Sequence, residues 1–214
     1  MSDPAAAAQA ALDAKTKPRG SLGRLEELAC RIAAIRGTAD PGRLRAAIVV
    51  AAADHGVADE GVSAYPQVVT GQMLANFAGG GAAVSVLARE AGAAVHVVDA
   101  GVGRPSGNIA VGPALTRDAA EAALEAGREL AIGLDAEIVG LGEMGIANST
   151  VAAALAAALL PARPEDVCGR GTGLDDAGVA HKVDVVRRAL AANPVDADDP
   201  VGVLAALGGA EIAT

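Results

Sequence analysis

Three short runs of small and β-branched residues, each halted by polar residues and glycine, most restrict what this chain can fold into. Residues 46–53 stop at Asp54-His55-Gly56, residues 94–98 at Asp99-Ala100-Gly101, and residues 136–141 at Gly142-Glu143-Met144-Gly145. Apolar runs of this length, bounded by glycine and separated by helical stretches, read as buried parallel strands. In an open α/β sheet the ligand crevice lies beyond the carboxyl ends of the strands. Asp54, His55, Asp99 and Glu143 are therefore expected along one ligand-binding edge, and an enzyme is the leading reading.

The segments between the runs have helical character. Residues 4–14 are alanine-rich, with Pro4 suited to a first turn, and Pro18 and Gly20 break the pattern. Ser21 is expected to cap a second helix through Ile35, with Leu22, Leu25, Leu28, Ala29 and Ile32 on one face. Further helices are expected at 67–77 and 82–91, at 116–131 with Thr116 as its cap, and at 150–160, 174–191 and 200–207. Residues 101–113 and 161–173 read as loops. After residue 40 the order is strand, helices, strand, helix, strand, helix, the mark of a wound parallel sheet. Residues 1–40 are expected to form a helical lobe or arm, and residues 41–214 the α/β domain. Three strands make an incomplete sheet with uncovered apolar edges, which predicts association with a second copy or with a partner supplying further strands.

Composition narrows the function classes. The chain is 52% apolar but only 1% aromatic, so its core must be built from Ala, Val, Leu and Ile. It lacks the aromatic platforms of a single-strand nucleic-acid binder. Its 17 Lys and Arg are scattered among 26 acids for a net charge of −9, which leaves no basic face for a phosphate backbone. No apolar run approaches the ~20 residues needed to span a bilayer, and the first residues lack a basic stretch leading into an apolar one. Cys30 and Cys168 make no metal or redox spacing. A cytoplasmic protein with no nucleic-acid or membrane partner is expected.

The candidate chemistry sits in two glycine-rich turns. Residues 142–150, Gly-Glu-Met-Gly-Ile-Ala-Asn-Ser-Thr, empty a strand into a helix start. Free amides there, with the Asn148, Ser149 and Thr150 side chains, suit a phosphate, and Glu143 would lie beside whatever the phosphate carries. Asn148 or Ser149 serves equally well as a plain helix cap, with Glu143 solvated. Gly169-Arg170-Gly171-Thr172-Gly173 precedes another helix. Arg170 suits an anion, while Asp175 and Asp176 read as capping acids. Lys182, on that helix, either returns toward the crevice or is a surface lysine. His55 reads either as a general base or as a structural hydrogen-bond partner. His96 is expected in the core and His181 on the surface. Residues 61–66 hold the single tyrosine ahead of Gln72 and Met73, either a wall for a flat heterocycle or a plain turn. Neither a zinc spacing nor a nucleophile elbow is present.

Four strings, taken together, carry a resemblance. They are residues 17–28 (Lys-Pro-Arg-Gly-Ser-Leu-Gly-Arg-Leu-Glu-Glu-Leu), Ala53-Asp54-His55-Gly56-Val57 through Gln72-Met73, residues 142–150, and residues 169–176. In that order they resemble the nicotinate-nucleotide–dimethylbenzimidazole phosphoribosyltransferases of cobalamin synthesis. The resemblance implies a Rossmann-like parallel sheet with a smaller helical domain, usually in a homodimer. It implies transfer of the 5-phosphoribosyl group of nicotinate mononucleotide to 5,6-dimethylbenzimidazole, with inversion and without a metal or other cofactor. By match to the family's motifs, Glu143 and Lys182 are active-site residues and Gln72 lines the benzimidazole pocket. Gly145 and the Asn148-Ser149-Thr150 turn lie near the nucleotide phosphate. Family members continue beyond Ala213, and the glutamate regarded as general base lies in that part. No residue here matches it, and Glu211 is not put in its place. A second reading is a noncatalytic nucleotide-binding protein, or one subunit of a split enzyme.

Overall fold

A computed structural model describes residues 3–214. The chain divides into two compact units, Met1–Arg45 and Ala46–Thr214. The first holds α1 (Pro4–Asp13) and α2 (Arg24–Arg36). Asp3 caps α1 by accepting from the Ala5 amide at 3.0 Å, with Pro4 in the first turn as expected. The expectation that Ser21 caps the second helix is not met. The cap is Gly23, at positive φ (53°), with no side-chain bond. The reason is Glu26, 4% exposed, whose carboxylate accepts from Lys17 Nζ at 2.8 Å and from the Leu22 amide at 3.1 Å. That carboxylate organises residues 17–26 into successive turns and leaves the Ser21 hydroxyl no capping role. The face of α2 also differs from expectation. Glu26 and Ala33 are its buried residues, while Leu25 and Leu28 are exposed.

The second unit is an α/β domain built on a three-stranded parallel sheet in the order β2-β1-β3. Its strands are β1 (Ala46–His55), β2 (Ala94–Ser106) and β3 (Ile138–Met144). Between β1 and β2 lie a short 3₁₀ turn (Gly56–Glu60), α3 (Val68–Ala78) and α4 (Ala83–Ala91), and between β2 and β3 lies α5 (Arg117–Gly133). After β3 come α6 (Asn148–Leu159), α7 (Pro164–Val167), α8 (Asp176–Ala192), α9 (Pro200–Leu207) and α10 (Ala210–Ala213). The chain steps from β1 to one side for β2 and to the other for β3. That reversal opens a crevice at the carboxyl ends of β1 and β3.

β1 is central and buried along nearly its whole length. Successive residues of a strand face opposite sides. Val50 meets Met73 and Phe77 of α3 in one cavity, while Val49 and Ala51 meet α10 in another. The main core cluster joins Val57, Ile109, Val151, Val185, Val186, Val203 and Leu207, each fully buried. It contains no aromatic side chain, so close approach of small residues replaces large ring contacts.

All three strands run past their expected ends, β1 by two residues, to His55. β2 continues to Ser106 because the Asp99 carboxylate accepts from the Gly101 and Val102 amides at 3.0 and 2.8 Å, accompanying a register shift. Asp54, at the end of β1, accepts from the Gly103 amide at 2.8 Å and holds the extension in place. β3 begins two residues later than expected and takes in Gly142, Glu143 and Met144, because pairing with β1 sets Glu143 opposite Ala51 and Met144 opposite Ala52. Thr116 caps α5 as expected, accepting from the Ala119 amide at 3.2 Å. Asp175 caps α8 through the Gly178 amide at 2.8 Å.

Candidate active site

The carboxyl end of β3 leads through Gly145 and Ile146 into α6, which starts at Asn148 rather than at Thr150. Its cap is Ala147, at φ 75° and ψ 0°, the only described non-glycine residue with positive φ. A left-handed alanine costs roughly 1–2 kcal/mol, so neighbouring bonds must hold the turn. The Ile146 amide donates to Thr70 Oγ1 on α3 at 3.1 Å, the Asn148 amide to the Gly145 carbonyl at 3.1 Å, and the Thr150 amide to the Ala147 carbonyl at 2.9 Å. The Asn148 side-chain amide donates to the Glu143 carboxylate. Glu143 is exposed and also lines an apolar cavity of about 320 Å³ with Val50, Met73, Phe77 and Met144. A carboxylate is thus fixed at the mouth of a space that accepts an apolar group.

Lys182 is not a surface residue: it is fully buried. Its ammonium donates to Ser149 Oγ at 2.8 Å and to the Gly169 carbonyl at 3.2 Å. An ammonium has three protons to donate, both acceptors are neutral, and no carboxylate pairs with it among the described residues. Burial pushes the Lys182 ammonium below its ordinary value, opposed in part by the nearby Cys168 sulfur. The same burial pushes the Cys168 thiol up. Ser149 belongs to the first turn of α6, so a buried cation and a helix N-terminus act on one spot. Both favour an anion. Gly171 permits this approach, because a Cβ there would meet Ser149 Oγ at 2.9 Å.

Other expected site residues have structural partners. Arg170 bonds to the Leu174 carbonyl at 2.9 Å and to the Asp176 carboxylate, so its charge is engaged within its own turn. Thr150 is fully buried and faces the core beside Val151. Gln72 is exposed on α3 and does not line the cavity that Met73 and Glu143 share. Asp54 is buried against the β2 extension. His55, fully buried, pairs through Nε2 with Glu211 at 2.9 Å, which fits the structural-partner reading. His96 is half-buried in β2 rather than in the core, and His181 is exposed with a ring nitrogen 2.6 Å from the Glu60 carbonyl. The 61–66 segment is tied to the second glycine turn, with Ser63 Oγ 3.1 Å from Thr172 Oγ1 and the Ala64 amide donating to it at 3.3 Å. Sequence reasoning missed Thr70, Thr172 and the pairing of Glu211. Only the Gly208-Gly209 pair ahead of Glu211 hinted that backbone approaches a neighbour closely there. No cluster of three metal-ligating side chains exists among the described residues.

Fold and site together define an open α/β domain with a carboxylate, a helix start and a buried lysine at the edge of a parallel sheet. The chain belongs to the DBI_PRT phosphoribosyltransferase family, whose pattern matches residues 2–214. It is 51% identical to a nicotinate-nucleotide–dimethylbenzimidazole phosphoribosyltransferase of Geobacter metallireducens, over 97% of this chain and 64% of that protein. It is 49% identical to a protein of the same name from Cupriavidus necator, over 96% of this chain and 64% of that protein. The crystal structure of CobT from Thermus thermophilus superposes with a TM-score of 0.86 at 47% identity, covering 99% of this chain and 69% of that one. The chain thus spans about 64% of the length of these curated relatives.

Proposed function

We propose that this chain carries the nucleotide-binding part of a nicotinate-nucleotide–dimethylbenzimidazole phosphoribosyltransferase. Nicotinate mononucleotide seats its 5′-phosphate at the first turn of α6, against Lys182, Ser149 and the backbone of residues 145–149. The observation that carries this reading is the fully buried Lys182 ammonium, two of its bonds directed at neutral oxygens and no acid beside it. A buried cation without a counter-charge is costly unless a ligand supplies the charge.

Glu143 faces the same crevice, held by Asn148 and bordering the cavity lined by Met73 and Phe77. A flat apolar base seats there, and the carboxylate orients the ring nitrogen that attacks the anomeric carbon. That bond forms as the bond to the nicotinate nitrogen breaks with its electron pair, releasing nicotinate, and the proton on the other nitrogen of the new base is given up to solvent. The substrate pyridinium is already a good leaving group, so positioning of the two rings supplies much of the acceleration. A homodimer in the cytoplasm is the setting that goes with this reading. No helix among the described residues is long and apolar enough to cross a membrane.

Calorimetric titration with nicotinate mononucleotide and with nicotinate riboside tests the phosphate seat. The nucleotide is expected to bind at least about 10²-fold more tightly, the difference of a charge-assisted anchor of ~3 kcal/mol. Equal affinities would remove the anchor from α6.

A further inference from the structure

His55 and Glu211 form a buried ion-pair geometry for which the transfer chemistry has no use. Both side chains are fully inaccessible, and Nε2 lies 2.9 Å from Oε1. Against an ionised Glu211 carboxylate, Nε2 is the donor. Nδ1 and Glu211 Oε2 have no hydrogen-bond partner. Two unsatisfied buried polar atoms are an energetic burden.

The pair lies under the anion turn. A Cβ on Gly145 would come within 2.8 Å of His55 Nε2 and 2.8 Å of the Ala53 carbonyl. On the other side, a Cβ on Gly209 would come within 2.4 Å of His55 Cε1 and 2.7 Å of Glu211 Oε2. The imidazole is therefore clasped between two bare backbone segments. One is the strand-to-helix turn bearing Glu143 and the α6 amides, and the other is the approach to α10. Gly145 cannot move toward β1 without meeting the ring, and the ring cannot turn without losing Glu211.

We propose that His55 and Glu211 are positioning residues: the pair sets the height of Gly145 and thereby the α6 N-terminus and the Ala147 turn, without touching the ligand. The proposal rests on the phosphate seat described above for its functional consequence, but not for its structural one. Glu211→Ala leaves the ring free to rotate, and Glu211→Gln keeps an acceptor at the same reach. Hydrogen exchange of the ligand-free protein reads the structural part. In Glu211→Ala, protection of the Ile146 amide, which donates to Thr70, is expected to fall about tenfold or more while amides of β1 keep theirs. In Glu211→Gln it is expected to stay near wild type. Nicotinate mononucleotide affinity is expected to follow the same order, with at least about a tenfold loss in Glu211→Ala.

Protection lost and affinity lost, both rescued by Gln, support the proposal. Protection lost in a protein whose wild type binds no nucleotide removes the functional reading and leaves the positioning role standing. Unchanged Ile146 protection in a folded Glu211→Ala protein overturns the proposal, as does a uniform loss across β1. Should Glu211→Ala fail to fold, Glu211→Asp withdraws the carboxylate by one methylene and is judged by the same two readouts.

Discussion

At the scale of single residues, Lys182 and Ala147 show where the site departs from ordinary packing. Lys182 was ambiguous in sequence because a lysine on a helix usually ends in solvent; only the arrival of the second glycine turn over its ammonium makes it buried. Its depressed value means that the unfolded chain holds more protons than the folded one in the window below 10.5. Stability from this group therefore rises with pH through that window. An anion seated beside the ammonium favours its charged form, so nucleotide binding at alkaline pH is expected to take up protons. Calorimetry in buffers of different ionisation enthalpy measures the uptake, and a buffer-independent heat would separate Lys182 from the ligand. Ala147 offers a stability test. Ala147→Gly relieves the left-handed conformation and is expected to stabilise by about 0.5–1 kcal/mol. Ala147→Val, β-branched and buried, is expected to destabilise by about 1–3 kcal/mol. Denaturant melts of the two variants decide both signs.

At the scale of elements, much was legible because the strands announce themselves by composition. Residues 46–53 could not be a solvent-facing helix without exposing an unbroken apolar surface, and they form the central strand. Strand ends were less legible, since Gly101 and Gly142 carry the usual signals of a turn. What carried β2 and β3 past them was pairing with β1, distant in sequence, helped in β2 by Asp54 reaching the Gly103 amide and by the local acceptance of Asp99. The site divided in the same way. That a strand empties into a helix start at 142–150 was readable from its glycines and hydroxyls, whereas Thr70 and Glu211 had no local pattern to mark them. Glu60 is a further case. It ends the 3₁₀ turn, accepts from Asn108 Nδ2 at 2.7 Å and from Arg188 at 2.6 Å, and so joins the β1 exit, the loop after β2 and α8. The Arg188 guanidinium and the Asn108 amide hold its carboxyl below the ordinary 4.5. The associated stability is present above 4.5 and is lost as pH falls through the lower folded value. Glu60→Gln is expected to cost about 1–2 kcal/mol at neutral pH. The gap to wild type should close in acid, as chemical denaturation across pH would measure; a pH-independent gap would argue for packing alone.

At the scale of the whole molecule, the core is assembled from alanine, valine, leucine and isoleucine, and the sheet has a partly uncovered margin. Ile138, Val139 and Leu141 of β3 are exposed, Leu141 to 87%. An apolar strand margin of this kind favours association, and a second copy is expected to cover it in solution. Light scattering on the purified chain should give at least a dimer mass, and a monodisperse monomer at ~100 μM would count against it. The absence of tryptophan has a separate consequence. The one tyrosine, Tyr65, is 55% exposed, and its amide donates to Ser63 Oγ, the hydroxyl that meets Thr172 in the second glycine turn. Emission excited in the tyrosine band, where Phe77 does not absorb, therefore originates at a single address beside the site, with no indole to drain it by energy transfer. The chain carries an intrinsic optical gauge of whether the 61–66 segment and the 169–173 turn stay joined.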